Sequence, residues 1–266
     1  MTEQTSALLA SRELFWNLTL RELRGKYKRS ALGWAWSMLN PLSTMVIFTV
    51  VFLYIFKATP PTGDPSGLKN FPLYLLCGLL PWNFFNGAVS GAMGSLLAAS
   101  GLIRKVWFPR EVIVFAATAS LAVSMAIEMG LVVVGLLVAG NVVFAWIPVV
   151  LVVLVLLGLF ATGLGLALSA ANVYFRDLSY LWSILAQVWF YATPIVYSLD
   201  QIPERMRAWV QLNPMTLYVE SIRSCLYDLA WPAWYQWLGM LGLSSASLAL
   251  GLVVFARLSP RFAEEL

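Results

Sequence analysis

The chain has 266 residues, of which 60% are hydrophobic and 11% charged, and a formal net charge of +4. Soluble domains carry about 25% charged residues, so the composition excludes an ordinary soluble enzyme and points to a single integral membrane domain, 1–266. The chain has no His, its two Cys (Cys77 and Cys225) form no ligand-spaced cluster, and there is no G-x-x-x-x-G-K-[ST] loop. Metal centres, His-activated nucleophiles and ATP hydrolysis within this chain are therefore not expected. No nucleic-acid partner is expected either, and whether the two thiols are free or bridged stays open.

The N-terminus is polar up to Leu14, so no cleavable signal is expected. Five cations then fall between Arg21 and Arg29, while Trp16, Leu20, Leu23 and Tyr27 recur at i, i+4, i+7 and i+11. That spacing sets an apolar stripe along one face of a helix over 11–31. Such a helix lies in the headgroup plane of an anionic leaflet, attracting anionic membrane lipid. A solvated basic helix is the plain alternative, but an apolar run begins within four residues of Arg29.

Apolar runs long enough to cross about 30 Å of hydrocarbon follow near 33–56, 72–99, 112–139, 147–171, 178–197 and 234–256. They predict an all-α integral membrane fold, a six-span bundle over 33–256 with both termini on one side. Cytoplasmic loops retain Lys and Arg. Twelve cations, including Arg21, Arg24, Arg29, Arg104, Arg110 and Arg257, fall on the terminal side, against Lys57, Lys69, Arg205, Arg207 and Arg223 opposite. Both termini are expected in the cytoplasm of a bacterial inner or plasma membrane.

The connecting segments differ in character. Residues 57–70, with four Pro and Gly punctuators from Pro61 to Gly67, read as an irregular external connector. In 101–111, Ile103, Val106 and Trp107 sit beside Arg104, Lys105 and Arg110, a mixture suited to docking in a partner's groove, although Trp107 also fits an interfacial anchor. Segment 198–232 is too apolar for a solvated loop and is interrupted at Pro203 and Pro214. It reads as a pair of short external re-entrant helices or as a small external cap.

Within the spans, Gly87, Gly91, Ser95 and Ala99, and again Ala161, Gly165 and Ser169, recur every four residues and predict close helix packing. Glu128 is the acidic residue deep in a span, a functional candidate because a membrane carboxylate is costly, with hydrogen bonding to a neighbouring helix as the structural alternative.

Several segments carry a resemblance when taken in order: Tyr27-Lys28-x-Ser30-x-Leu32-Gly33-x-x-Trp36 through Pro41, Leu79–Phe85, Leu102–Pro109, Tyr174-Phe175-Arg176-Asp177, Thr193–Tyr197, and Asn213-Pro214 followed by Arg223. With them the chain resembles, over nearly its whole length, the transmembrane subunit of ABC-2 type exporters of O-antigen, capsule, teichoic acid and related polysaccharides. The resemblance implies a homodimer that recruits two copies of a separate ATPase, in which ATP and Mg are bound. It implies coupling to that ATPase through Leu102, Ile103, Arg104, Lys105 and Trp107, with Arg176 and Asp177 as a second contact. It also implies entry of a lipid-linked polysaccharide at Arg21, Arg24, Lys26, Tyr27 and Lys28, and an external gate at Asn213 and Pro214.

Sugar rings stack on aromatic faces and bond to Tyr and Trp edges, which makes Trp36, Tyr54, Trp82, Phe84, Phe85, Trp189, Phe190, Tyr191 and Tyr197 channel-lining candidates. Trp and Tyr also gather at membrane interfaces without any ligand, so fewer than half are expected to face a channel. Three rival readings are a small-molecule or lipid exporter of the same type, a secondary transporter, and a membrane glycosyl or prenyl transferase. The scarcity of deep carboxylates weighs against the second, and the lack of paired carboxylates for a metal weighs against the third.

Overall fold

The computed structural model describes residues 2–26, 32–33, 35–55, 57, 61–106 and 108–265, so Tyr27, Lys28 and Trp107 lie outside the described residues. Every regular element among the described residues is helical. Four segments, Met38–Ile55, Glu111–Val138, Phe144–Tyr174 and Trp234–Arg261, are long and apolar enough to cross a membrane.

Helix α1 is Thr2–Lys26. It packs along the fifth helix, burying Leu18, Thr19 and Leu23 while Trp16 stays 60% exposed. Leu23 of the expected stripe is thus covered by protein, whereas Trp16 is left uncovered. Helix α2, Ala35–Thr49, contains Pro41 and passes into a π-helical turn, Val50–Ile55. It is the least covered span, with Val46, Ile47 and Tyr54 exposed.

Helix α3, Phe71–Ala98, is the central post. Asn70 caps it by accepting from the Leu73 amide, and Pro72 stands in its first turn, where the missing N–H costs nothing. Most of its side chains are buried, against α5 (Glu111–Val138), α6 (Ile147–Tyr174) and α9 (Pro214–Arg223). Within α3, Pro81 is buried and Asn86 half-buried, while Asn83 is exposed.

Between α3 and α5 lies the short α4, Ser100–Ile103. Helix α7, Leu178–Ala192, is about 22 Å long by its rise per residue. That falls short of the hydrocarbon thickness, and non-helical backbone at Thr193–Tyr197 continues it. Helix α8, Glu204–Gln211, is surface-lying with Met206 and Trp209 exposed, whereas α9 is buried in the bundle through Met215, Tyr218, Val219 and Ile222. Helix α10, Trp234–Leu258, packs most extensively on α6, and α11, Phe262–Glu265, closes the chain.

The α6–α10 crossing depends on two glycines. A methyl on Gly163 would collide with the Ser247 backbone, and one on Gly251 with the Gly163 carbonyl. Small residues that let backbones touch are the membrane substitute for hydrophobic driving force. The four-residue repeats predict helix contact at Gly165, whose added Cβ would lie 2.9 Å from Ala92 of α3, and at Gly87 and Gly91, which face Leu121 of α5. The tighter pair, Gly163 with Gly251, is not visible as a repeat.

The 61–70 segment is a docked structure, not a loose connector. The Tyr227 hydroxyl donates to the carbonyls of Pro61 (2.8 Å) and Leu68 (3.0 Å) and accepts from the Asn70 amide at 2.9 Å. Asn141 donates to the carbonyls of Leu226 and Tyr227, and Ser66 to that of Tyr227. Both thiols are free and buried.

Candidate functional site

One cleft gathers chemistry that the rest of the surface lacks in combination. About 640 Å³ in volume, it lies among the end of α1, the first half of α2 and the middles of α3 and α5, and is lined by Lys26, Trp36, Asn40, Thr44, Asn83, Phe84, Asn86, Ser124 and Glu128. Cavities of 300–1,000 Å³ suit small ligands.

The helices deliver these groups for separate reasons. Helix α1 advances about 16 Å from Phe15 to Lys26, and Lys26 Nζ donates to Ser124 Oγ at 3.0 Å, halfway along α5. A helix lying alone on the headgroup plane would not reach that depth. Pro41 lines the cleft beside the Asn40 and Thr44 side chains, one turn of α2 apart. On α3, Asn83 and Asn86 are three residues apart and share a face.

Asn86 is held in one orientation: its Oδ1 accepts from Trp182 Nε1 at 3.1 Å, and Ser90 Oγ accepts from the same indole at 3.1 Å. Its amide nitrogen has no partner among the described residues and is left as a donor for the cleft. Glu128 is half-buried, and its carboxyl group has no hydrogen-bond or ion-pair partner among the described residues.

The sequence candidates thus separate. Lys26, Trp36, Phe84 and Glu128, singled out on unrelated grounds, meet in one cleft. Asn40, Thr44, Asn83, Asn86 and Ser124 join them. Sequence reasoning passed these over because single carboxamides and hydroxyls in an apolar run carry no periodic signal. Arg21 and Arg24 are exposed on α1, where Arg21 bonds Glu22 at 3.1 Å.

The nine aromatic candidates fall into three classes, with Trp189, Phe190 and Tyr197 half-buried between the other two. Trp82, Phe84 and Phe85 are buried inside the protomer. Phe85 stacks on Phe160 at 5.5 Å and meets Trp189 edge-on at 5.2 Å, while Trp82 meets Phe190 at 5.7 Å. Offset and edge-to-face pairs of this kind bind helices together. Trp36, Tyr54 and Tyr191 are exposed, and Tyr197 is intermediate, its hydroxyl donating to the Tyr191 carbonyl.

At the far end of α7, Asn213 acts as a clasp. Its Oδ1 accepts from Trp189 Nε1 at 2.6 Å and from the Met215 amide at 3.0 Å, capping α9 ahead of Pro214. Its amide nitrogen donates to the Ala192 carbonyl and to Thr193 Oγ1. One turn beyond α9's middle, the buried guanidinium of Arg223 donates to the carbonyls of Pro194 and Ile195 and to Glu220, and lies 3.7 Å over the Tyr74 ring. Gly78 makes room for it, since a Cβ there would stand 2.7 Å from Arg223 Nη2. The segments around Thr193 and Asn213 are therefore one bonded unit.

At the opposite end, Ile103 and Phe108 are buried with Phe255 and Phe262, while Arg104, Lys105 and Val106 are exposed. Arg110 donates to the Ser259 carbonyl, fixing the segment to the C-terminal helix. Arg176 and Asp177 are exposed at the α6–α7 turn of the same end. Ile103 is thus an anchor inside the bundle, and the cations are what the segment presents.

Residues 13–227 match the family model described as ABC-2 type transporter. The chain belongs to the ABC-2 type transporter family. This permease is 30% identical over 252 residues to the O-antigen export system permease protein RfbA of Klebsiella pneumoniae, covering 93% of the permease and 92% of that protein. It is 30% identical over 258 residues to RfbA of Myxococcus xanthus, covering 96% of each. The polysialic acid transport protein KpsM of Escherichia coli is 25% identical over 79% of each chain. Permeases of this family are non-catalytic membrane subunits.

Proposed function

We propose that the permease is the membrane-spanning subunit of an ATP-driven exporter that carries a lipid-linked cell-envelope polysaccharide outward across the bacterial inner or plasma membrane. The observation that carries this reading is the cleft. It sets an ammonium, an exposed indole and three carboxamides at the end of a basic helix, where a pyrophosphate and its first sugars would arrive together. Cations hold phosphate, and indoles with carboxamides suit hydroxyl-rimmed sugar faces. The permease's relatives named for O-antigen and polysialic acid transport support the polymer class.

In this reading α3 and α7 complete a six-span bundle with the four long apolar segments, and both termini are cytoplasmic. Two copies of the permease pair with two ATPase subunits, which hold ATP and Mg. The ATPase pushes on Arg104 and Lys105, with Arg176 and Asp177 as its second contact, and Ile103 transmits the displacement because it is buried in the bundle. Exposed Tyr54 and Tyr191 line a path completed by the second copy, while buried Trp82 and Phe85 and half-buried Trp189 stiffen its wall. The α8–α9 region closes the outer end. The test is transport by the purified complex in vesicles: lipid-linked glycan is expected to move only with ATP, and Arg104→Ala with Lys105→Ala is expected to lower transport at least tenfold with the assembly intact. Glycan movement without ATP would overturn the proposal.

A further inference from the structure

Among the described cleft-lining residues Glu128 is the one carboxylate, and its charged neighbour there is Lys26. The Glu128 carboxyl group lies in the middle of a span, half-buried, beside a cavity of about 640 Å³. A group so placed is costly unless something donates to it. Around it the wall offers donors of fixed aim. The Asn86 amide nitrogen is set by the Trp182 indole, and the Asn83 side chain is exposed on the same face of α3. Trp36 supplies an exposed ring across the cleft, and Lys26 supplies the cation at its edge.

A carboxyl group flanked by carboxamides and an indole matches one ligand chemistry well: a pyranose whose hydroxyls donate to the carboxylate, whose ring oxygens accept from the amides, and whose C–H face lies on the indole. The same carboxyl group penalises an acidic sugar. Two carboxyl groups brought into one site cannot both ionise freely; the Lys26 ammonium at the cleft's edge acts on Glu128 and offsets part of that repulsion, while apolar Leu121 and Met125 beside it add no screening.

We propose that this cleft is a subsite for one uncharged sugar unit next to the lipid pyrophosphate, and that Glu128 is a specificity-determining residue that reads sugar hydroxyls and rejects uronic-acid units. The inference rests on the lipid-linked glycan reading above and adds the sugar's charge.

The test uses the permease–ATPase complex in phosphatidylcholine nanodiscs, which carry no competing anionic lipid. Equilibrium binding is measured for three labelled probes: a polyprenyl pyrophosphate bearing one N-acetylhexosamine, the same lipid bearing one hexuronic acid, and the sugar-free lipid pyrophosphate. Wild type is expected to hold the neutral-sugar lipid about tenfold tighter than the uronic one, equivalent to about 1.4 kcal/mol. Glu128→Gln is expected to bring the two within about twofold, chiefly by strengthening the uronic probe. Asn83→Asp, at an exposed position that tolerates substitution, is expected to widen the gap at least threefold and carries the test should the Glu128 variant assemble poorly. A neutral-to-acidic ratio near one in wild type, or one that neither variant changes, overturns the inference while leaving the lipid-linked substrate standing. Failure of wild type to bind any of the three probes overturns both.

Discussion

Replacing Arg223 by Ala removes the buried guanidinium that, together with Asn213, ties the non-helical end of α7 to α9. That guanidinium, 2% exposed, donates to the carbonyls of Pro194 and Ile195 and to a Glu220 side chain that is 24% exposed. Leaving a buried acceptor unpaired costs about 1–3 kcal/mol, and breaking a buried ion pair from one side about 3–5 kcal/mol. Glu220 keeps access to water, and Arg223 Nε already lacks a partner among the described residues, so the lower end applies, about 3 kcal/mol.

That loss corresponds to a rise on the order of 100-fold in the local opening constant. Hydrogen exchange on the intact complex reads it directly, at the amides of 193–197 and 214–223. Arg223→Lys is expected to recover only part of the protection, because an ammonium cannot hold two carbonyls and a carboxylate in one plane. The Arg223→Met, Glu220→Gln pair is expected to exchange more slowly than Arg223→Ala alone, since no unpaired carboxylate remains. Exchange within about threefold of wild type in Arg223→Ala would refute the clasp.

Gly163→Ala and Gly251→Ala each force α6 and α10 apart at backbone contact, and an overpacked crossing costs about 1–3 kcal/mol. Gly94→Ala, with open space around it, is the matched control, and detergent thermal melts should separate the three. Asn213→Ala loses the α9 cap and the hydrogen bonds to Trp189 and Thr193; a cap alone contributes about 1 kcal/mol, so a cost of roughly 2 kcal/mol is expected, seen as faster exchange at the start of α9 with α10 unchanged. Asp228, beneath the docked 61–70 segment, is pushed up to about 6 from its ordinary 3.8 by burial. The folded chain therefore holds the extra proton between about pH 4 and 6, so protection of residues 63–68 should decline as pH rises through that window and level off above it. Asp228→Asn should flatten the profile.

Membrane class, the four longest spans and the family were legible without coordinates, because the bilayer imposes length and apolarity on every spanning residue and so writes them along the chain. The order of short motifs was legible too, although Thr193–Tyr197 and Asn213–Arg223 gave no sign of being a single bonded unit. On α1 the stripe led by Trp16 has Leu23 buried against protein and Trp16 exposed, while Leu18 and Thr19 outside it are buried: a stripe records which face is apolar, not what covers it. The aromatic candidates shared the same ambiguity, since Phe85 inside the protomer and Tyr54 on its surface are alike in composition.

What the sequence alone determined is therefore what each residue must satisfy by itself: staying in lipid, carrying charge on one side, and breaking helices at Pro203 and Pro214. Only the tertiary structure decided which distant residues share a space. Lys26 and Ser124 are separated by 98 positions yet bonded, and Asn141 is 85 positions from the Leu226 carbonyl it holds. Pairings of that range arise from how helices pack, a property of two surfaces at once, and no local pattern in either helix encodes its partner.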